Sequence, residues 1–319
     1  MRISWLVVTG TLALAACQPE SSGDAVSGGA ESTLSDPSAA APVTATEYTT
    51  SLQFLPLEPA RTQALILQLA NTATTSQLAR RYQAWQLDRS TWRRILDVDS
   101  RELPVRAPWR VFPTDSMSIT VNADGDPDDL VLKVGPTDYT LDLGSHLDAW
   151  EDRSGTWHEI REATWVERGE RVAGIAVGHR FATPEPERPT LYGNYERVIL
   201  RSDDGAVIVL FHTSEPDIYG QPFAWMYADG LTRRWTLLEE RTVEVVNSSQ
   251  LRRNVPIRLW FRIPEPDIRC ELTALERQYN EFVAEEGPKP YNALYRVRGW
   301  IEFAGERRNV EGFLERGQV

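Results

Sequence analysis

The chain has 319 residues, a net charge of −12 and 41% hydrophobic residues. That is enough apolar material for a sizeable core, and eleven tryptophans add to the area available for burial. The acidic balance, with no basic block, argues against a nucleic-acid partner, whose phosphates demand basic contacts.

In chain order, Arg2 precedes an apolar run from Ile3 to Ala16, which exits through Leu14-Ala15-Ala16 into Cys17. A positive start, a short apolar centre and a small-residue exit describe a secretory signal. The run is shorter than the roughly 20 residues a permanent membrane span requires. The exit resembles the lipobox of bacterial lipoproteins. The expectation is a signal peptide over 1–16 and a lipid, palmitate among its acyl chains, on Cys17. Membrane contact then runs through that lipid at the cell envelope. Gln18, in place of aspartate, favours the periplasmic leaflet of the outer membrane. Residues 17–48 are rich in Ser, Gly, Ala and Pro and read as a flexible tether with a reach of roughly 30 Å. With Cys17 lipidated, Cys270 has no disulfide partner. Its alternating surroundings, Ile268 to Leu272, place it on an apolar face as a small buried hydrophobe.

Residues 49–100 are expected to hold a small helical segment. Pro59 suits a first helical turn, and Leu65, Ile66 and Leu69 form one stripe. Ser76 is a candidate cap for a helix carrying Leu78, Tyr82 and Trp85, and Ser90 for one carrying Trp92, Ile95 and Leu96. From 101 to 319 the period changes to two. Met117, Ile119 and Val121 alternate with polar residues, and so do Ile257 to Ile263 and Tyr295 to Phe303. Asp124-Gly125, Asp204-Gly205, Asp229-Gly230 and Ala304-Gly305 are hairpin signals. One helix is expected over Leu272–Phe282. No internal repeat is visible. The predicted fold is mainly β, an antiparallel lipocalin-like barrel or paired half-barrels or sandwich, with the N-terminal helical segment in front.

The acidic run Asn122 to Asp129 invites a calcium reading. Pro127 and Lys133 break the EF-hand pattern, which leaves a hairpin loop. His146, His158, His179 and His212 show no metal-ligand spacing, and no nucleophile elbow, phosphate loop or dinucleotide fingerprint is present. No metal or cofactor is expected.

One stretch carries more. It reads Gly174-Ile175-Ala176-Val177-Gly178-His179-Arg180-Phe181, then Tyr192-Gly193-Asn194-Tyr195-Glu196 into an apolar strand with the Asp203-Asp204-Gly205 hairpin. Asp229-Gly230, the Pro256–Pro264 strand and Gly312-Phe313-Leu314-Glu315 follow. Over roughly residues 170–319 this pattern resembles the lipocalin-like family related to hydroxyneurosporene synthase, a carotenoid hydratase, and to AttH-type proteins. The resemblance implies a barrel-type fold and a hydrophobic ligand or substrate. On that basis His179 and Glu196 are a candidate proton-transfer pair, with Tyr192, Tyr195 and Trp225 as candidate ligand-binding residues.

Three functions follow as expectations. The first is an envelope lipoprotein that binds a hydrophobic small molecule or lipid. The second is a hydratase or isomerase on an isoprenoid-like substrate. The third is an interaction module of an envelope complex, docking through residues 58–97.

Overall fold

The computed structural model describes residues 44–58, 64–110, 114–121, 127–134, 137–185, 193–281 and 287–319. The signal segment, Cys17, most of the tether, residues 122–126 of the acidic run and Tyr192 lie outside the described residues.

Among the described residues the chain is almost entirely antiparallel strand, in two sheets of nine. The first is built from β1 (Thr46–Pro56), β2 (Ala64–Ala73), β3 (Leu78–Asp88), β4 (Thr91–Glu102), β5 (Met117–Val121), β6 (Pro127–Val134), β7 (Thr137–Glu151), β8 (Trp157–Glu167) and β9 (Glu170–Pro184). The second is built from β10 (Tyr195–Ser202), β11 (Val207–Thr213), β12 (Phe223–Ala228), β13 (Leu231–Trp235), β14 (Glu239–Ser248), β15 (Arg253–Ile263), β16 (Ile268–Glu281), β17 (Tyr291–Phe303) and β18 (Glu306–Gln318). One short helical turn, α1 (Pro216–Tyr219), links β11 to β12. This is the paired half-barrel form of the expected lipocalin-like fold.

The strand orders are β4-β3-β2-β1-β9-β8-β7-β6-β5 and β13-β12-β11-β10-β18-β17-β16-β15-β14. Adding nine to every strand number in the first gives the second. The chain is therefore two copies of one topology, a repeat the sequence conceals because each copy carries its own side chains.

Three apolar cores result. Leu52, Phe54, Leu65, Leu67 and Tyr82 line the inside of the first sheet. Val198, Leu200, Leu259, Phe261 and Tyr295 line the inside of the second. The third core is the seam between the sheets, where Ile66, Trp85, Ile160 and Val177 meet Ile199, Phe211, Trp225 and Phe313. The central strands are thus covered on both faces, and every residue of β10 is buried.

That two-sided burial explains why the described residues of 49–100 form strands, not the expected helices; Pro59 lies outside the described residues. Leu65 and Leu69 face the first sheet's inner core while Ile66, between them in the apparent stripe, faces the seam. Tyr82 and Trp85 likewise point to opposite cores. A strand apolar on both faces has no alternation, and short apolar runs of this kind are ambiguous by period alone. The breaks between the supposed helices are real but are hairpin turns. Thr74 Oγ1 accepts the backbone N–H groups of Ser76 and Gln77, and Arg89 turns the chain with a φ of 56°. The helix expected over Leu272–Phe282 is the end of β16, up to Glu281, where a bulge between Ala274 and Arg277 breaks the period of two. The hairpins at Asp229-Gly230 and Ala304-Gly305 stand, with positive φ at both residues of each. Cys270 is a buried free thiol, and burial pushes its pKa up.

Gly312, on β18, has no room for a side chain, because a Cβ there would collide with the backbone carbonyl of Ile199 on β10. The Gly312→Ala variant is expected to lose about 2–4 kcal/mol and to melt roughly 4–16 °C lower. A thermal melt indistinguishable from wild type would contradict this packing.

Candidate active site in the seam between the sheets

The strand register assembles a polar row on the seam face of the first sheet. His158 on β8 pairs with His179 on β9, His179 with Ser51 on β1, and Ser51 with Gln68 on β2. Directly paired residues project side by side on one face. The positions two residues along these strands, Ile160, Val177 and Ile66, belong to the seam core.

The hairpin between β7 and β8 supplies the anchor of the row. Asp152 Oδ2 accepts from His158 Nε2 at 2.9 Å and from the backbone N–H of Gln221 at 2.6 Å. Its Oδ1 accepts from the backbone N–H and hydroxyl of Ser154 and the backbone N–H of Thr156. Burial opposes ionisation of Asp152, but these hydrogen bonds outweigh it and hold the carboxyl well below the usual range. Gly220, at a φ of 97°, brings the second sheet's chain against the pair. A Cβ there would sit 2.7 Å from Asp152 Oδ2 and 3.1 Å from the His158 ring.

His158 Nδ1 and His179 Nδ1 are 2.9 Å apart. The carboxylate fixes who donates. Asp152 only accepts, so His158 carries its proton on Nε2 and its Nδ1 is a lone pair. His179 must then donate from Nδ1, which leaves His179 Nε2 as a lone pair with no partner among the described residues. Burial lowers the pKa of His158, helped by the Arg197 and Arg234 charges and opposed by Asp152. Burial, then Arg197 and His158, lowers that of His179 further. Both rings are neutral at pH 7. The pair sits among aromatic rings: Trp150 stacks on His158 at 5.0 Å, Phe223 meets it edge-on at 5.0 Å, and Phe211 lies 5.3 Å from His179.

Beside this row the second sheet contributes Glu315, which has no exposed surface. It accepts from Gln53 Nε2 at 2.6 Å, Tyr195 Oη at 2.6 Å, Asn292 Nδ2 at 3.1 Å and Gln68 Nε2. Arg197 lies 3.8 Å away and covers the Tyr195 ring at 4.6 Å. Burial and the Glu315 charge raise the Tyr195 pKa well above 10.

Of the candidates read from the sequence, His179, Tyr195 and Trp225 all belong to the seam. Trp225 is buried in the seam core. Glu196 does not join His179. Adjacent strand residues face opposite ways, so Tyr195 and Arg197 enter the seam while Glu196 turns into the second half-barrel. There it meets His212 Nδ1 at 3.1 Å and Arg316 at 2.6 Å, with Glu240 nearby. Burial and the Glu196 charge raise the Glu240 pKa. Glu196, His212 and Glu240 have ligand atoms close enough for a metal, and the Arg316 guanidinium already sets one positive charge against the two carboxyl groups.

Sequence reading missed Asp152, His158, Ser51 and Glu315. His158 and His179 lie 21 residues apart, with a hairpin between them, and become neighbours only through register. The one available signal was the Asp152-Arg153-Ser154-Gly155 turn six residues before His158, a sequence suited to hold a carboxylate.

The depressed histidine values set the sign of a pH effect. A histidine whose folded pKa lies below its unfolded value binds its proton more readily when unfolded. Its contribution is complete above pH 6.5 and is lost as pH falls through that value toward the folded pKa. Melting temperature is therefore expected to fall from pH 7 to pH 5. The double variant His158→Gln, His179→Gln should show a shallower fall over the same range. Equal slopes in both proteins would contradict neutral, buried imidazoles.

The sequence matches no protein-family model and no curated protein. Among solved structures, the chain is similar to a putative AttH from Nitrosomonas europaea, with a TM-score of 0.50 and 12% identity over 87% of this chain and 93% of that one. It is similar to kievitone hydratase from Nectria haematococca, with a TM-score of 0.50 and 13% identity over 84% of this chain and 87% of that one. At that identity the likeness establishes the architecture: this chain has the two-sheet, lipocalin-like fold found in the AttH protein and in kievitone hydratase.

Proposed function

We propose that the protein is an acid–base enzyme of the hydratase or isomerase class acting on a hydrophobic small molecule, with the seam between the sheets as its site. The observation that carries this reading is the hydrogen-bonded line Asp152–His158–His179. It ends on an unpaired nitrogen inside an aromatic enclosure. The fold shared with a hydratase is consistent with it.

The chemistry follows from the tautomers. His179 Nε2 is the general base. It takes a proton from water as the oxygen bonds to one carbon of an activated double bond and, as imidazolium, delivers it to the neighbouring carbon, or it carries a proton from one carbon to another of an activated C–H system; dehydration retraces the same steps. As Nε2 gains the proton, positive charge spreads through the Nδ1–H to His158 and is stabilised by the Asp152 carboxylate. Asp152 and His158 are positioning residues. The depressed pKa keeps His179 in its base form at neutral pH and makes the imidazolium, once formed, a ready donor. Arg197 adds to that acidity.

The test uses protein purified with its co-extracted hydrophobic compounds and incubated in heavy water. Mass spectrometry of the recovered compound is expected to show deuterium at carbon with wild type and none with His179→Gln, which still retains the compound. Asp152→Asn is expected to slow labelling by about 10²-fold or more and to change its pH profile. Unlabelled compound from wild type would leave a carrier, not an enzyme.

The lipid anchor at Cys17 is a proposal of its own, supported by the lipobox-like exit of the signal segment. Wild type is expected to partition with outer membranes and Cys17→Ser to be recovered in the soluble periplasmic fraction. Membrane partition of the Cys17→Ser form would sink the anchor.

A further inference from the structure

The groups around Glu315 leave a second pattern. Glu315 can only accept, so the amides of Gln53 and Asn292 must both present their nitrogens to it. Each amide is thereby forced to turn its carbonyl oxygen away. Gln53 Oε1 and Asn292 Oδ1 are buried and have no hydrogen-bond partner. Two neighbours share that condition. Ser51 Oγ, paired across strands with His179, is buried without a partner, and so is Arg197 Nε. His179 Nε2, on a ring that is itself buried, also has no hydrogen-bond partner among the described residues. Buried polar atoms in native proteins are almost always matched, so a concentration of unmatched ones in one place calls for an explanation.

Resting on the functional reading above, we infer that these atoms recognise hydroxyl groups, and that the ligand of the seam is an oxygenated hydrophobe, an alcohol or phenol, and not a pure hydrocarbon. The inventory decides the class. Three of the unmatched atoms accept only: Gln53 Oε1, Asn292 Oδ1 and His179 Nε2. Arg197 Nε only donates, as do the partnerless indole N–H groups of Trp85, Trp92 and Trp225 in the same seam core, and Ser51 does either. The ligand must therefore bring both donors and acceptors, which a hydroxyl group combines in one atom. A ketone or ether offers no donor. A carboxylate or phosphate would bring negative charge beside Glu315. Ser51 Oγ, Gln53 Oε1, Asn292 Oδ1 and Arg197 Nε are closed off from solvent.

Ser51 allows a clean test because its hydroxyl makes no protein hydrogen bond to lose. Binding to the full mature chain is followed by tryptophan fluorescence with two matched probe pairs, 1-naphthol with naphthalene and farnesol with farnesane. Wild type is expected to bind the hydroxylated member of a pair at least tenfold tighter. Ser51→Ala is expected to melt no lower than wild type, to bind the hydrocarbon unchanged and to lose most of the preference. Gln53→Met, which removes an acceptor, should reduce the preference in the same direction. Equal affinity within each pair, or a preference that survives in Ser51→Ala, would overturn this inference while leaving the seam a ligand site. No binding of any probe would overturn both.

Discussion

Glu315 is a carboxyl group with no contact with solvent, and the seam is organised around supplying it with donors. Gln53 and Gln68 come from the first sheet, Tyr195, Asn292 and Arg197 from the second. Each sheet alone would leave it undersupplied, and an unmatched buried acceptor costs about 1–3 kcal/mol, more when charged. The carboxyl group therefore ties the two half-barrels together at one register. Arg197, held over the Tyr195 and Phe211 rings, joins it to the histidine pair. The relay inherits its fixed geometry from the same constraint.

The repeat of topology makes the asymmetry between the halves informative. Both sheets present a central strand pair to the seam, β9–β1 and β18–β10. The first places His179 and Ser51 there, and the second places Glu315 and Arg197. The two copies thus differ at the seam: one presents the histidine pair, and the other supplies charge and amide neighbours. Glu196 and His212 lie on the far face of the second sheet. They form with Arg316 and Glu240 a separate ionic cluster inside that half-barrel.

Strands such as β5, β15 and β17 were legible because their period of two and flanking turn residues point the same way, whereas the bulged end of β16 was read as a helix. Residues 49–100 were not legible, because a strand buried on both faces shows no alternation and Leu65, Ile66 and Leu69 mimic a helical stripe. His179 was picked out through the family resemblance of the Gly174–Phe181 stretch, and the structure places it on β9 facing the seam. Its partners were not, because Asp152, His158 and Ser51 reach it through hairpin and cross-strand register, which a linear pattern does not encode. The pairing of His179 with Glu196 failed on parity. Glu196 directly follows Tyr195, and neighbours on a strand face opposite ways.

The central claim is a neutral histidine pair with fixed tautomers. Nitrogen-15 NMR of histidine-labelled protein at pH 7 measures it directly. Protonated Nε2 with free Nδ1 at His158, and protonated Nδ1 with free Nε2 at His179, is the result this account expects. An imidazolium at either position, or a His179 protonated on Nε2, would contradict it.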